Sequence, residues 1–162
     1  MFEQMAYTGT KEEQYRQVIK QLQYLIADES NQIANLSNAA ALLNVFLKDI
    51  NWVGFYLVDE NKPNELVLGP FQGLPACIRI PFGKGVCGTV AATKETLVVP
   101  NVNKFPGHIA CDAASQSEIV IPMIDNSGRF IGVLDIDSPI LYRFDRDDER
   151  YLQKFVDILY NR

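Results

Sequence analysis

The sequence predicts an α+β domain, with helices towards the two ends of the chain and β-hairpins in its middle. The first observation is an apolar stripe near the N-terminus that repeats at the spacing of one helix face. The second is a change of period after residue 51, where short apolar runs are separated by turn sequences. The third is another helical stripe close to the C-terminus. Antiparallel hairpins flanked by helices favour α+β over a parallel α/β sheet.

The elements follow from these periods in chain order. Thr10 and Glu13 have the spacing of a capping box before the first helix. The long segment 101–115 has no period and is predicted to be an irregular loop, and loops of this length are often functional. The predicted helices cover residues 15–26, 36–48 and 86–93 and a segment from about 145, and the predicted strands cover 52–58, 66–71, 76–80, 96–99, 119–124 and 130–136.

Composition limits the classes of function. The chain has 162 residues, 48% of them hydrophobic and 22% charged, which predicts one globular domain over residues 1–162. Lys and Arg number 15 against 20 Asp and Glu, and this net charge of −5 disfavours nucleic-acid and membrane-surface partners. Neither a signal peptide nor a spanning segment is recognisable, so we expect a cytoplasmic protein.

The three cysteines are the first chemically informative residues, because cytoplasmic thiols are free, metal-bound or redox-active. Cys77 falls in a predicted strand, where a buried hydrophobic role is the simplest interpretation. Cys87 falls in the glycine-flanked turn where the short predicted helix 86–93 begins, and Cys111 falls in predicted loop sequence, which favours chemistry for both. A zinc site with His108 is disfavoured because no closely spaced cysteine pair exists, so no metal is expected and His108 is interpreted as a loop residue.

Residues 83–88 match the dinucleotide pattern G-x-G-x-x-G, but a single match is weak. The preceding strand contains Arg79 and ends at Pro81, unlike the first strand of a dinucleotide-binding unit. We therefore favour a structural role, in which the glycines allow a tight turn beside Cys87.

Acidic residues in two neighbouring strands form the second candidate feature. Asp135 and Asp137 are two residues apart in an apolar strand, so both side chains point to the same face. Glu118 opens the adjacent strand of the same hairpin. The three carboxyl groups are expected to converge at one end of the sheet, either as a solvated edge or as a binding site, and the apolar context favours a site.

Five segments together resemble the GAF-domain free methionine-(R)-sulfoxide reductase family. All three cysteine positions match, and the segment around Cys111 is specific to this family. The resemblance extends from the first helix to the last. The segments are GPFQG (69–73), ACIRIP (76–81), GVCGT (85–89), GHIACDAAS (107–115) and GVLDIDS (132–138).

The resemblance implies a single GAF domain with a six-stranded antiparallel sheet, helices on one face and a small-molecule pocket on the other. It implies reduction of free L-methionine (R)-sulfoxide, with no bound cofactor, thioredoxin as electron donor and a homodimeric assembly. Cys111 is then the nucleophile, which becomes a sulfenic acid and forms a disulfide with a resolving thiol. The implied substrate-binding residues are Trp52, Tyr56, Glu118, Asp135 and Asp137.

Two assignments within this scheme come from chemistry. Three carboxylates would disfavour a thiolate nearby, so we expect one carboxyl group, preferably that of Glu118, to stay protonated and act as the acid. Cys87 is preferred over Cys77 as the resolving thiol because a glycine-flanked turn can move. A non-catalytic GAF sensor is the competing class, and the three thiols weaken it.

Overall fold

The computed structural model describes residues 6–109 and 112–160. Six strands form one antiparallel sheet in the order β3-β2-β1-β6-β5-β4. The elements in chain order are α1 (Lys11–Ile26), α2 (Gln32–Phe46), β1 (Trp52–Asp59), β2 (Lys62–Gly73), β3 (Arg79–Pro81), α3 (Gly85–Thr93), β4 (Leu97–Val99), β5 (Ser117–Ile124), β6 (Phe130–Ser138) and α4 (Arg146–Tyr160), and a 3-10 turn covers Val102–Lys104.

The alternation of side chains along the strands divides the core into two layers. Val53 and Phe55 of β1 point to the face covered by α1, α2 and α4. Trp52 and Tyr56 of the same strand point to the opposite face, which α3 and the long loops cover. The expected helix-covered face is therefore present, and α3 is the helix that lies on the other side.

The N-terminal helix begins as the sequence predicts, whereas the second begins earlier. Thr10 and Glu13 form a complete capping box at the start of α1. Helix α2 starts at Gln32, four residues before the predicted start at residue 36, because the Asn31 side chain caps it by accepting from the Ala34 N–H at 3.0 Å. The first turn of α2 is largely exposed and has no apolar stripe by which to recognise it.

The predicted strand 76–80 is wrong: only Arg79–Pro81 forms β3, and Cys77 lies in the loop before it. Side chains from β1 form hydrogen bonds with backbone carbonyl groups of this loop. The Trp52 indole N–H donates to the Leu74 carbonyl at 3.1 Å, and the Tyr56 hydroxyl donates to the Cys77 carbonyl at 2.9 Å. These bonds fix the loop at the edge of the opposite-face layer.

The glycine pattern at residues 83–88 makes a tight turn into α3, as the structural interpretation predicts. Gly85 has a φ of +60°, a conformation that favours glycine. A Cβ at Gly88 would lie 2.4 Å from the Pro81 carbonyl oxygen, so its absence lets α3 pack tightly against β3. The preceding strand is a short antiparallel edge strand, which is not the arrangement of a dinucleotide-binding unit.

Within the described residues, no helix is both long and apolar enough to cross a membrane.

Candidate active site

The three predicted carboxyl groups lie on one cavity in the layer beneath α3. Glu118 of β5 lies opposite Asp137 of β6 in the strand register. Asp135 precedes Asp137 by two residues and lies on the same face of β6. All three side chains line the cavity. Leu134 and Ile136 point the other way, into the helix-covered core.

Two of the three carboxyl groups are buried, and that of Asp137 is half-buried. Glu118 is 5% exposed and Asp135 is 6% exposed. Within residues 6–109 and 112–160, no Lys or Arg side chain forms an ion pair with Glu118, Asp135 or Asp137. Desolvation raises the pKa of each of the three, and the charge of a neighbouring carboxylate raises each pKa further. The cavity therefore holds protons tightly and attracts a cation.

Two aromatic rings form one wall of this cavity. Trp52 is 3% exposed and stacks on Phe71 at a centroid distance of 5.3 Å and on Tyr56 at 5.8 Å. Burial raises the pKa of the Tyr56 hydroxyl, so the phenol remains a donor to the Cys77 carbonyl. The wall thus presents an apolar surface to the cavity and also holds the loop that carries Cys77.

Cys87 lies in the first turn of α3 and is 3% exposed, so it does not lie in a mobile turn. Gly85 allows the turn at which the helix begins, and Gly88 allows the helix to pack closely against β3. Desolvation raises the pKa of its thiol well above the usual value, and the neighbouring Asp135 and Glu118 charges raise it further. The expectation that Cys87 lies in a turn that can move is therefore wrong. Its thiol is free and buried, and the raised pKa keeps it neutral.

Cys77 is half-buried in the loop before β3 and is joined in a disulfide. It does not line the cavity itself, but the adjacent Ala76 does. Cys111 lies outside the described residues, so its role as nucleophile stays a prediction.

Sequence reasoning missed the position of His108 at the cavity and the contacts of Asn51 with two cavity residues, Asp112 and Ser115. His108 has a side chain 14% exposed, and its Nε2 lies 3.5 Å from Glu118 Oε2, which its interpretation as a plain loop residue did not anticipate. Burial lowers the pKa of this imidazole and favours its neutral form. Asn51 Nδ2 donates to Asp112 Oδ2 at 2.8 Å and to Ser115 Oγ at 3.1 Å, so it anchors the turn that follows residue 111.

Comparison with known proteins identifies the family. The sequence matches the GAF domain family over residues 19–161. It is 55% identical to protein YtsP of Bacillus subtilis, over 98% of this chain and 96% of that protein. It is 48% identical to the free methionine-R-sulfoxide reductase of Saccharomyces cerevisiae, over 92% of this chain and 85% of that protein. The chain belongs to the free methionine-R-sulfoxide reductase family.

A solved member of this family has the same fold. The free methionine-R-sulfoxide reductase of Neisseria meningitidis, determined in complex with its substrate, superposes with a TM-score of 0.91 at 48% identity. The alignment covers 98% of this chain and 93% of that one. The GAF fold predicted from the sequence is therefore confirmed.

Proposed function

We propose that this protein reduces free L-methionine (R)-sulfoxide to L-methionine by thiol chemistry. Family membership gives the reaction class. The observation that carries the proposal for this chain is the cavity beside an aromatic wall, in which three carboxyl groups, two of them buried, have no Lys or Arg partner among the described residues. A free amino acid supplies the cation that these groups lack.

The substrate ammonium group is assigned to Asp135 and Asp137, and the sulfoxide oxygen to Glu118. A buried carboxylate paired with an ammonium group is far more stable than one left alone, so binding favours a substrate that has a free amino group. A methionine sulfoxide inside a polypeptide has an amide in this place and brings no charge. The cavity therefore selects the free amino acid.

The chemistry begins with protonation of the sulfoxide oxygen, which makes the sulfur electrophilic. Glu118 has a raised pKa and is the proton donor. The Cys111 thiolate attacks the sulfur and takes the oxygen, which releases methionine and leaves Cys111 as a sulfenic acid. A second thiol condenses with the sulfenic acid to give a disulfide and water. Thioredoxin then reduces the disulfide by thiol exchange and is itself oxidised.

We assign the resolving step to Cys77 and no longer to Cys87. The supporting observations are that Cys77 is disulfide-bonded whereas Cys87 is a free thiol buried in a helix. A thiol held neutral condenses poorly with a sulfenic acid, because the thiolate is the nucleophile. The cytoplasmic location, thioredoxin as donor and homodimeric assembly also stay predictions.

A pair of matched cysteine variants tests this assignment. One equivalent of substrate, added to the reduced protein without thioredoxin, should convert Cys87→Ser to a form that is two hydrogens lighter by intact mass. Cys77→Ser treated in the same way should stop at a sulfenic acid that dimedone traps, because Cys111 then has no partner. If Cys87→Ser is the variant that dimedone traps while Cys77→Ser forms the disulfide, the resolving role returns to Cys87.

The aromatic wall should determine which sulfoxide epimer is reduced. Trp52→Ala removes the surface against which the S-methyl group packs, and we expect kcat/KM for the R epimer to fall about tenfold or more with a loss of epimer selectivity. Trp52→Phe is the control, because it keeps a smaller aromatic surface although it loses the indole N–H that donates to the Leu74 carbonyl. Trp→Ala in a core costs about 3–5 kcal/mol, so both variants are assayed well below their unfolding temperatures. Full selectivity in folded Trp52→Ala would argue against the wall.

The reaction itself is tested with a mixture of the two free L-methionine sulfoxide epimers, thioredoxin, thioredoxin reductase and NADPH. Chiral chromatography of the residual substrate should show selective loss of the R epimer. The folded, fully reduced protein is the sample, and its absence from the mixture is the control. No consumption of either epimer would overturn the proposed reaction and favour a ligand-binding GAF domain without catalysis.

A further inference from the structure

Three donor atoms from different elements converge in the deepest part of the cavity. Cys87 Sγ, one carboxylate oxygen of Glu118 and one of Asp135 all lie within 4.8 Å of one another. Each residue is at least nine-tenths buried, with exposures of 3%, 5% and 6%. Helix α3 supplies the sulfur, and strands β5 and β6 supply the oxygens. A thiol among two carboxyl groups is a softer donor set than a plain acidic patch.

A second observation points to a ligand at this position. Asp135 Oδ1 is buried in the same cavity and has no hydrogen-bond partner among the described residues. A buried polar atom without a partner costs free energy, so a group that binds it stabilises the protein. His108 Nε2 lies 3.5 Å from Glu118 Oε2 but is not one of the three mutually close donors.

We propose that Cys87, Glu118 and Asp135 form a site for a thiophilic divalent cation such as Zn²⁺, which competes with the substrate amino group. Its role as an inhibitor rests on the proposed function, whereas the ligand set stands on the geometry alone. Bound metal would occupy Asp135, which receives the ammonium group, and the proton-donating Glu118. Metal and substrate therefore exclude each other.

The donor set selects the class of ion. Zn²⁺ accepts sulfur, nitrogen and oxygen ligands in tetrahedral sites, with donors about 3.5 Å apart. The three donors lie within 4.8 Å of one another, so they must approach by at most about 1.3 Å. Mg²⁺ and Ca²⁺ require six or more oxygen ligands and do not favour a thiolate. The site is therefore expected to discriminate strongly against both of these ions.

The test uses the full chain carrying Cys77→Ser and Cys111→Ser, so that Cys87 is the only thiol. In a buffer that fixes free Zn²⁺, a chromophoric chelator should report one bound Zn²⁺ per chain. Co²⁺ in place of Zn²⁺ should give a thiolate-to-metal absorption band in the near ultraviolet. Mg²⁺ and Ca²⁺ at the same concentrations are the controls and should not compete.

Adding Cys87→Ser to this chain should remove the Co²⁺ band and weaken Zn²⁺ binding at least about tenfold. Glu118→Gln, tested separately in the same background, should weaken binding while the thiol is still present. Circular dichroism establishes that each variant is folded before binding is measured. Zn²⁺ binding that neither variant changes, or a Co²⁺ complex without the thiolate band, would overturn the site.

Competition connects the site to the reaction. Free L-methionine sulfoxide, added at fixed free Zn²⁺, should lower Zn²⁺ occupancy, and Zn²⁺ should raise KM in the wild-type enzyme without changing kcat. An enzyme that reduces the sulfoxide but binds no Zn²⁺ through Cys87 would refute this inference and leave the proposed function intact. A chain that binds Zn²⁺ through Cys87 but reduces no sulfoxide would refute the proposed function and leave the metal site standing.

Discussion

Cys111→Ser is expected to lower kcat for free L-methionine (R)-sulfoxide by about 10⁴-fold or more, as loss of a nucleophile does in other covalent enzymes. A serine hydroxyl is scarcely ionised at neutral pH and cannot form a sulfenic acid, so both the attack and the oxygen transfer are lost. The measurement is steady-state turnover coupled to thioredoxin and NADPH, with the product methionine quantified directly.

Cys87→Ser is the matched control for this loss. It removes a thiol that lines the same cavity and has no covalent role in the scheme, so it should keep measurable turnover. Substrate binding to Cys111→Ser, followed by calorimetry, should stay within a few-fold of the wild-type value, because the carboxyl groups and the aromatic wall are intact. Substantial turnover by Cys111→Ser would exclude it as the nucleophile.

Glu118→Gln is the second variant with a large expected effect, and it should lower kcat by about 10²-fold or more, the usual contribution of general acid catalysis. Burial raises the pKa of Glu118, so the acid form that donates the proton persists to higher pH than for an ordinary carboxyl group. In the wild-type enzyme, kcat should therefore decline as pH rises through this raised pKa. The variant should lose that decline, because glutamine does not titrate.

Asp137→Asn separates proton donation from substrate binding. Asp137 pairs with Glu118 across the two strands but is assigned to the ammonium group, so its replacement should mainly raise KM and keep the alkaline decline of kcat. If Glu118→Gln has wild-type kcat and an unchanged pH profile, Glu118 is not the acid.

Residues whose position depends on a regular strand or helix could be placed from the sequence. A period of two put Asp135 and Asp137 on one face of β6, and hairpin pairing put Glu118 on the adjacent strand. The capping box before α1 could also be predicted from the sequence, because its two partners are three residues apart. In each case a local rule determines the geometry.

Other features depend on contacts between distant segments and left no local signal. Cys77 fell outside a strand because side chains from β1 bind the backbone around it. His108 comes near Glu118 only through the folding of the long loop, and Asn51 reaches Asp112 across 61 positions in sequence. The burial of Cys87 follows from the close packing of α3 on β3. The same glycine-rich sequence is also compatible with a mobile turn, so the sequence alone did not distinguish the two.

Recognition of a free amino group by the buried carboxyl groups is the central claim, and removing that group from the substrate tests it most directly. The R enantiomer of 4-(methylsulfinyl)butanoic acid lacks only the amino group of methionine (R)-sulfoxide. Its kcat/KM should be lower at least about tenfold, because a charged hydrogen bond to a buried group contributes about 1.5–3 kcal/mol. The difference between the two substrates should also shrink in Asp137→Asn. Equal kcat/KM values for the two substrates in the wild-type enzyme would contradict the account.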